Sequence, residues 1–274
     1  MPELPEVETV VRDLRPHLIG RRIASVKVSR HHLRQRWQPA WNQLLPGRQV
    51  LEIRRRGKWI CTLLDDARFL VIHLGMSGQL TVVPNAEPIQ KHTHVIVGLD
   101  DGGRQLRFRD IRRFGLAVLV ESAAALDGML DSGKLGPEPF DLKPAYWRKR
   151  LTATHRSLKA ALLDQRLVAG VGNIYADESL FEARLPPTQR GSQTSAAEAD
   201  RLRRSIVRVL NRAIERRGSS IQNYVGGEGL QGEYQNEFRA YGRTGEPCPR
   251  CETPIERIRL AGRSTHFCPR CQRR

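Results

Sequence analysis

The chain opens Met1-Pro2-Glu3-Leu4-Pro5-Glu6-Val7-Glu8. Removal of Met1, which a small second residue such as Pro2 favours, leaves a secondary amine at the terminus. A terminal amine has an ordinary pKa of about 7.7–8, so an appreciable fraction is uncharged near neutral pH, where a lysine is almost fully protonated. Such an amine can attack a carbonyl-like carbon and form an iminium intermediate. Glu3 and Glu6 set carboxylates beside it, the groups that the proton transfers of such a reaction need. The same octamer also reads as a plain leader followed by a helix start, with Pro5 suited to a first helical position.

The second chemical constellation is Cys248-Pro249-Arg250-Cys251, followed after 16 intervening residues by Cys268-Pro269-Arg270-Cys271. Two such pairs offer four thiolates to one tetrahedral Zn²⁺. A redox dithiol and an iron–sulfur site are the competing readings. Four protein ligands leave no open position, so a zinc here is structural. His266 is an alternative ligand that the spacing does not require. Arg257, Arg259 and Arg263 lie between the pairs, as basic residues would on a hairpin facing an anion. The fifth cysteine, Cys61, sits in an apolar strand-like run and reads as a buried thiol.

Lys+Arg number 46 against 29 Asp+Glu, a net charge of +17. A folded protein this basic points to a polyanionic partner. Arginine greatly outnumbers lysine, which suits bidentate phosphate contacts. A basic membrane-surface protein is the alternative, but there is no lipidation motif and no apolar run of about 20 residues. The acidic N-terminus is unlike a signal peptide. The chain is therefore expected to be cytoplasmic, with no membrane partner.

These groups need elements to hold them. Residues 5–19 predict a helix with Val7, Val10, Val11, Leu14 and Leu18 on one face, closed by Gly20, with Pro16 disturbing its last turn. Short runs rich in Val, Ile, Leu and Thr predict strands at 22–28, 49–56, 59–64, 68–74, 79–83, 93–99, 104–109 and 114–120, an antiparallel sandwich or barrel. Residues 133–139 read as a linker and 144–217 as helical. Ser195-Ala196-Ala197-Glu198 is a capping-box pattern. The helix that it opens has Leu202, Ile206, Val209, Leu210 and Ala213 inside and Arg201, Arg204, Arg208 and Arg212 outside, a face that solvent alone explains. Gly170-Val171-Gly172-Asn173 is a glycine-rich turn between helices, where exposed amides favour an anion. Residues 218–236 lack periodicity and predict a long mobile loop of functional use.

Together these features resemble the formamidopyrimidine-DNA glycosylase family over essentially the whole chain. The resemblance rests on the opening octamer, Arg56-Gly57-Lys58, His73-Leu74-Gly75-Met76-Ser77-Gly78 and Asp110-Ile111-Arg112-Arg113-Phe114-Gly115. It continues through 169–178 and the four-cysteine module with Gly262-Arg263. It implies a multi-domain α+β protein: an N-terminal antiparallel β-sandwich with flanking helices (1–135), a helix–two-turns–helix domain (136–236) and a C-terminal zinc-finger β-hairpin (237–274).

The resemblance also implies roles. Pro2 is the nucleophile that forms a Schiff base with C1′ of the damaged nucleotide, Glu3 the general acid/base, Glu6 its support and Lys58 a catalytic-site cation. Met76, Arg112 and Phe114 fill the gap left by an extruded nucleotide. Asn173 and Arg263 grip phosphates, and His73 and Arg113 touch the backbone. Ser219, Ser220, Gln222 and Tyr224 fall in the lesion-recognition loop, with Gln222 where many members have Lys or Arg. The implied partner is double-stranded DNA containing oxidised bases or abasic sites, in a bacterial cell. The implied activity is excision of oxidised purines with strand cleavage at the abasic site, one structural zinc and no other cofactor. A glycosylase of the endonuclease-VIII type, acting on oxidised pyrimidines, and a non-catalytic damaged-DNA-binding zinc protein are the alternatives. Nothing signals an oligomer, so a monomer is expected.

Overall fold

The computed structural model describes residues 2–130, 135–221 and 224–273. They divide into two compact units, Met1–Ser132 with Arg216–Glu233, and Gly133–Glu215 with Tyr234–Arg274.

The first unit begins with helix α1 (Leu4–Leu18), whose N-cap is Glu3 and whose first turn holds Pro5. The predicted face, Val7, Val10, Val11, Leu14 and Leu18, is buried. Pro16 stays within the helix, where it forgoes the bond that its N–H would make to the Arg12 carbonyl. The strands β1 (Ile23–Val28), β2 (Val50–Arg56), β3 (Trp59–Leu64), β4 (Phe69–His73), β5 (Gly78–Pro84), β6 (Thr93–Leu99), β7 (Arg104–Asp110) and β8 (Leu116–Val120) lie within two residues of the predicted limits. They form two four-stranded antiparallel sheets, in the orders β1-β6-β7-β5 and β2-β3-β4-β8. Helix α1 packs on β2 and β5, one outer strand of each sheet. The short helices α2 (Trp41–Leu44) and α3 (Ala123–Leu130) had no sequence forecast.

The second unit contains α4 (Pro144–Thr152), α5 (Leu158–Leu163), α6 (Asn173–Ala183) and α7 (Ala196–Glu215). The predicted capping box closes α7: the Glu198 N–H donates to Ser195 Oγ (3.2 Å) and the Ser195 N–H to Glu198 Oε2 (2.8 Å). The predicted inner face of α7 is buried. Three of its outer arginines also bond to neighbouring groups of the protein, Arg201 to the Ala183 carbonyl and, at the surface, Arg208 to Glu182 and Arg212 to Glu237. The antiparallel hairpin of β9 (Glu256–Leu260) and β10 (Arg263–Phe267) ends the unit. No helix of the described residues is long and apolar enough to cross a membrane.

Candidate active site and nucleic-acid interface

Pro2 is buried, and the two carboxylates behind it are almost fully enclosed, Glu3 at 2 % exposure and Glu6 at 1 %. They form the capping box of α1, in which the Glu3 N–H donates to Glu6 Oε2 at 2.8 Å. The other Glu6 oxygen accepts the Ser219 N–H at 2.8 Å. One side chain thus ties the start of α1 to the loop after α7.

Lys58 occupies a two-residue hairpin turn between β2 and β3, where Gly57 supplies the positive φ of 58°. The turn leaves Lys58 only 7 % exposed. His73, the partner of Trp59 in the β3–β4 ladder, lies next to it. Burial first, then the charges of Lys58 and Arg34, push its pKa down to about 4. His73 is therefore neutral near pH 7. Its Nδ1 accepts the Gly75 N–H at 3.0 Å, which leaves the proton on Nε2, a single outward donor.

Two turns of the sandwich are locked back to back. A Cβ on Gly75, whose φ is +64°, would lie 2.5 Å from Gly115 N, so only glycine permits this approach. Asp110, fully buried, organises the second turn. Its Oδ1 accepts from Ser77 Oγ (2.5 Å) and the Arg112 N–H (3.2 Å), and its Oδ2 from the Gly115 N–H (2.7 Å). The turn presents Phe114, 47 % exposed, with the Arg112 guanidinium 4.7 Å from its ring centre. An apolar ring that remains exposed beside a cation is not core packing; it is available to a partner. Met76 and Arg113 lie on these same two turns, Arg113 with a φ of 57°.

Residues 216–221 and 224–233, expected with the helical domain, group with the first unit by their contacts. Ser219 bridges Glu233, Ser220 Oγ donates to the Tyr224 carbonyl (2.9 Å) and accepts the Gly232 N–H (2.9 Å), and the Tyr224 hydroxyl donates to the Glu6 carbonyl (3.1 Å). The expected mobile loop is thus tied at its base: Ser219 and Tyr224 are buried, holding the segment rather than displayed. Gln222 lies outside the described residues.

In the second unit the Gly170-Val171-Gly172 turn is clamped by Gln165, which accepts the Gly170 N–H (2.9 Å) and donates to the Val171 carbonyl (2.7 Å). Asn173 begins α6 beyond it. Its carbonyl accepts from Lys159 Nζ (2.8 Å), which also pairs with Asp177 Oδ1 at 2.6 Å. Asp177 Oδ2 accepts from His266 of β10 through both the backbone N–H (2.9 Å) and Nδ1 (3.1 Å). Glu178 accepts the backbone N–H groups of Arg239, Ala240 and Tyr241. Burial pushes its carboxyl pKa up, and those amides oppose the shift. Arg263 stands exposed, directly after the Ala261–Gly262 turn.

The sulfurs of Cys248, Cys251, Cys268 and Cys271 all lie within 4.8 Å of one another. Separations of 3.9, 3.5 and 3.3 Å among them suit a tetrahedron with Zn–S bonds of about 2.3 Å, whose sulfurs stand about 3.8 Å apart. The Cys271 N–H also points at Cys268 Sγ (3.3 Å), as amides do toward thiolate ligands. His266 is occupied by Asp177 and is not a ligand. The module is thus a site for one structural zinc.

Sequence reasoning assigned no role to Asp110, Lys159, Gln165, Asp177 or Glu178. Asp110 and Asp177-Glu178 lie within stretches that carried the family resemblance, but without a role of their own.

A two-sheet domain with a helical unit that carries a glycine-rich turn and a four-cysteine hairpin defines a zinc-finger protein of the helix–two-turns–helix class. Residues 1–117 match the formamidopyrimidine-DNA glycosylase N-terminal domain, 135–225 its H2TH domain and 245–274 the zinc finger found in FPG and IleRS. The formamidopyrimidine-DNA glycosylase of Moorella thermoacetica is 48% identical, with 94% of this chain and 95% of that protein covered. The Lactococcus lactis FPG mutant G226P, solved with Fapy-dG-containing DNA, superposes with a TM-score of 0.92 at 36% identity, each chain fully covered (100%). The Fpg protein of Thermus thermophilus gives 0.88 at 42% identity, covering 99% of this chain and 98% of that one. The chain belongs to the formamidopyrimidine-DNA glycosylase family.

Proposed function

We propose that this protein is a base-excision-repair enzyme that removes oxidised purines from duplex DNA and then cleaves the abasic strand. The observation that carries this reading is the buried Glu3–Glu6 capping box directly behind Pro2. An ordinary helix start is solvated; this one keeps two carboxylates out of water beside a candidate amine.

The nitrogen lone pair of Pro2 bonds to C1′ of the extruded nucleotide. The electron pair of the N-glycosidic bond leaves with the base, and the proton that the Pro2 nitrogen sheds balances the one that the base takes up. Glu3 protonates the ring oxygen as the sugar opens to the iminium. Loss of a C2′ proton then expels the 3′ phosphate, and loss of a C4′ proton the 5′ phosphate. Lys58 balances the phosphate charge and favours the neutral amine. Met76, Arg112 and Phe114 occupy the vacated stack and its orphan base. Asn173 and Arg263 take phosphates, and neutral His73 donates one hydrogen bond to the backbone, with Arg113 beside it. Similarity to FPG solved with Fapy-dG-containing and abasic-site-containing DNA supports this substrate class. The zinc holds the hairpin that carries Arg263 and supplies no chemistry. The protein acts as a monomer in the bacterial cytoplasm.

Borohydride trapping tests the mechanism. Protein verified to start at Pro2, mixed with duplex DNA carrying 8-oxoguanine opposite cytosine, is expected to give a covalent adduct; its absence refutes the amine mechanism. Glu3→Gln is expected to abolish excision while DNA binding survives. Equal loss of both would assign Glu3 to folding.

A further inference from the structure

Three side chains along α1, Glu6, Asp13 and His17, meet the segment 217–233. Spacings of seven and four residues put them on one face of a helix. Glu6 accepts the Ser219 N–H, Asp13 Oδ2 pairs with Arg217 Nη2 at 2.7 Å, and His17 Nε2 meets Glu228 Oε1 at 3.0 Å. Asp13 is the point where both limbs of the segment converge. On the outgoing limb Arg217 has a φ of 60°, which a side chain rarely adopts, and Gly218 follows at 75°. On the returning limb a Cβ at Gly226 would lie 2.4 Å from Asp13 Oδ2, and one at Gly227 would lie 2.9 Å from Asp13 Cβ. The Gly227 carbonyl accepts the Val82 N–H (2.9 Å), which ties this limb to β5 as well. The Asp13 side chain is only 6% exposed. A charge that deeply enclosed is kept by its partner, and Arg217 holds an unfavourable backbone conformation to provide it.

We propose that Asp13 is a positioning residue for recognition of the damaged base: it seats both limbs of the segment, 217–221 and 224–233, on the helix that carries Glu6 and follows Pro2 and Glu3. The inference rests on the proposed function, because the ligand in question is the extruded oxidised purine. A seat built before DNA arrives lowers the ordering cost of binding and fixes the segment relative to the reacting carbon. The lyase half of the reaction, which acts on a site with no base, does not need it.

The test uses the full zinc-loaded chain with Asp13→Asn and, separately, Gly226→Ala, which blocks the seat without removing a charge. Three quantities are read: excision of 8-oxoguanine, lyase cleavage of a preformed abasic site, and trypsin cutting after Arg216 and Arg217 without DNA. Both variants are expected to lose roughly tenfold or more in kcat/KM for excision. Lyase rates should stay within about twofold of the parent, and cutting should become faster. Excision within about twofold of the parent, a parallel fall in excision and lyase, or unchanged cutting would each overturn the role of Asp13. Failure of the parent itself to excise or to be trapped would count against the proposed function, whereas the trypsin result bears on Asp13 either way.

Discussion

Replacing Lys159 with Met should damage the second unit more than any surface change. The Lys159–Asp177 pair is 2.6 Å long and both side chains are 0% exposed. Methionine preserves most of the stem volume, so packing changes little, but it leaves the Asp177 carboxylate buried without its ammonium. Breaking a buried pair on one side costs about 3–5 kcal/mol. At about 3 °C per kcal/mol for a protein of this size, the melting temperature should fall by about 10–15 °C. The Asn173 carbonyl loses its Nζ donor in the same step, so affinity for DNA should fall too. Adding Asp177→Leu removes the stranded charge and should recover part of the loss. Recovery should stay incomplete, because the buried His266 N–H that Asp177 accepts would become an orphan, at about 1–3 kcal/mol. Differential scanning calorimetry of the parent, the single and the double variant reads all three quantities. A Lys159→Met protein melting within about 2 °C of the parent, or a double variant less stable than the single, would refute this reasoning.

Three further outcomes are expected. Cys251→Ser, or exhaustive chelation, should remove one zinc per chain by mass spectrometry and abolish DNA binding, since metal binding and folding of such a module are coupled; full binding by metal-free protein would contradict this. The depressed His73 pKa means that the unfolded chain takes up this proton first. Its contribution is present above the ordinary value of about 6.5 and is lost as pH falls toward about 4, worth about 1–2 kcal/mol after allowance for partial exposure. Lys58→Met should raise that pKa only partway, because burial is the larger cause; an NMR titration with a parent midpoint near 6.5 would disprove it. Gly75→Ala combines a φ of +64° with a 2.5 Å approach to backbone, so it should lower stability by at least about 1–3 kcal/mol in urea unfolding, and a neutral result would mean that the two turns can separate.

The framework was legible because its signals are local. Short runs rich in Val, Ile, Leu and Thr gave the strands of the sandwich, one apolar stripe gave α1, and Ser195 with Glu198 marked the start of α7. The cysteine spacing named the metal before any fold was known. What stayed hidden depends on pairs distant in sequence. No pattern near residue 13 foretells Arg217, and nothing near Lys159 foretells that His266 shares its partner Asp177. The base of the segment after α7 was hidden for the same reason. Low periodicity excluded a long helix or strand there, but the bonds of Arg217 and Ser219 run to Asp13 and Glu6 of α1, some 200 residues earlier. Phe114 shows the limit from the other side: composition alone assigns an aromatic to the core, and only its position on a turn held by Asp110 makes its exposure intelligible.

Four of the buried acids, Glu6, Asp110, Asp177 and Glu178, share one physical task. A surface that must follow a nucleic acid is built from turns and loops, whose amides lack ladder partners, and an unpaired buried amide is costly. Glu6 takes the amides of Glu3 and Ser219, Asp110 those of Arg112 and Gly115, Asp177 that of His266, and Glu178 those of Arg239, Ala240 and Tyr241. A carboxylate suits this work because it offers about four acceptor sites and no donor, and hydrogen bonds to its charge are roughly twice as strong as neutral ones. The consequence is specific to the acid form. Glu178→Gln keeps shape and volume but removes the carboxylate that three amides share and sets an NH₂ where Oε2 faces the Arg239 N–H, so it should destabilise the zinc module by about 1–3 kcal/mol, whereas an exposed Glu→Gln should be silent. Hydrogen exchange of the amides at 239–241 measures the difference, and unchanged protection there would mean that these loops are held by packing alone.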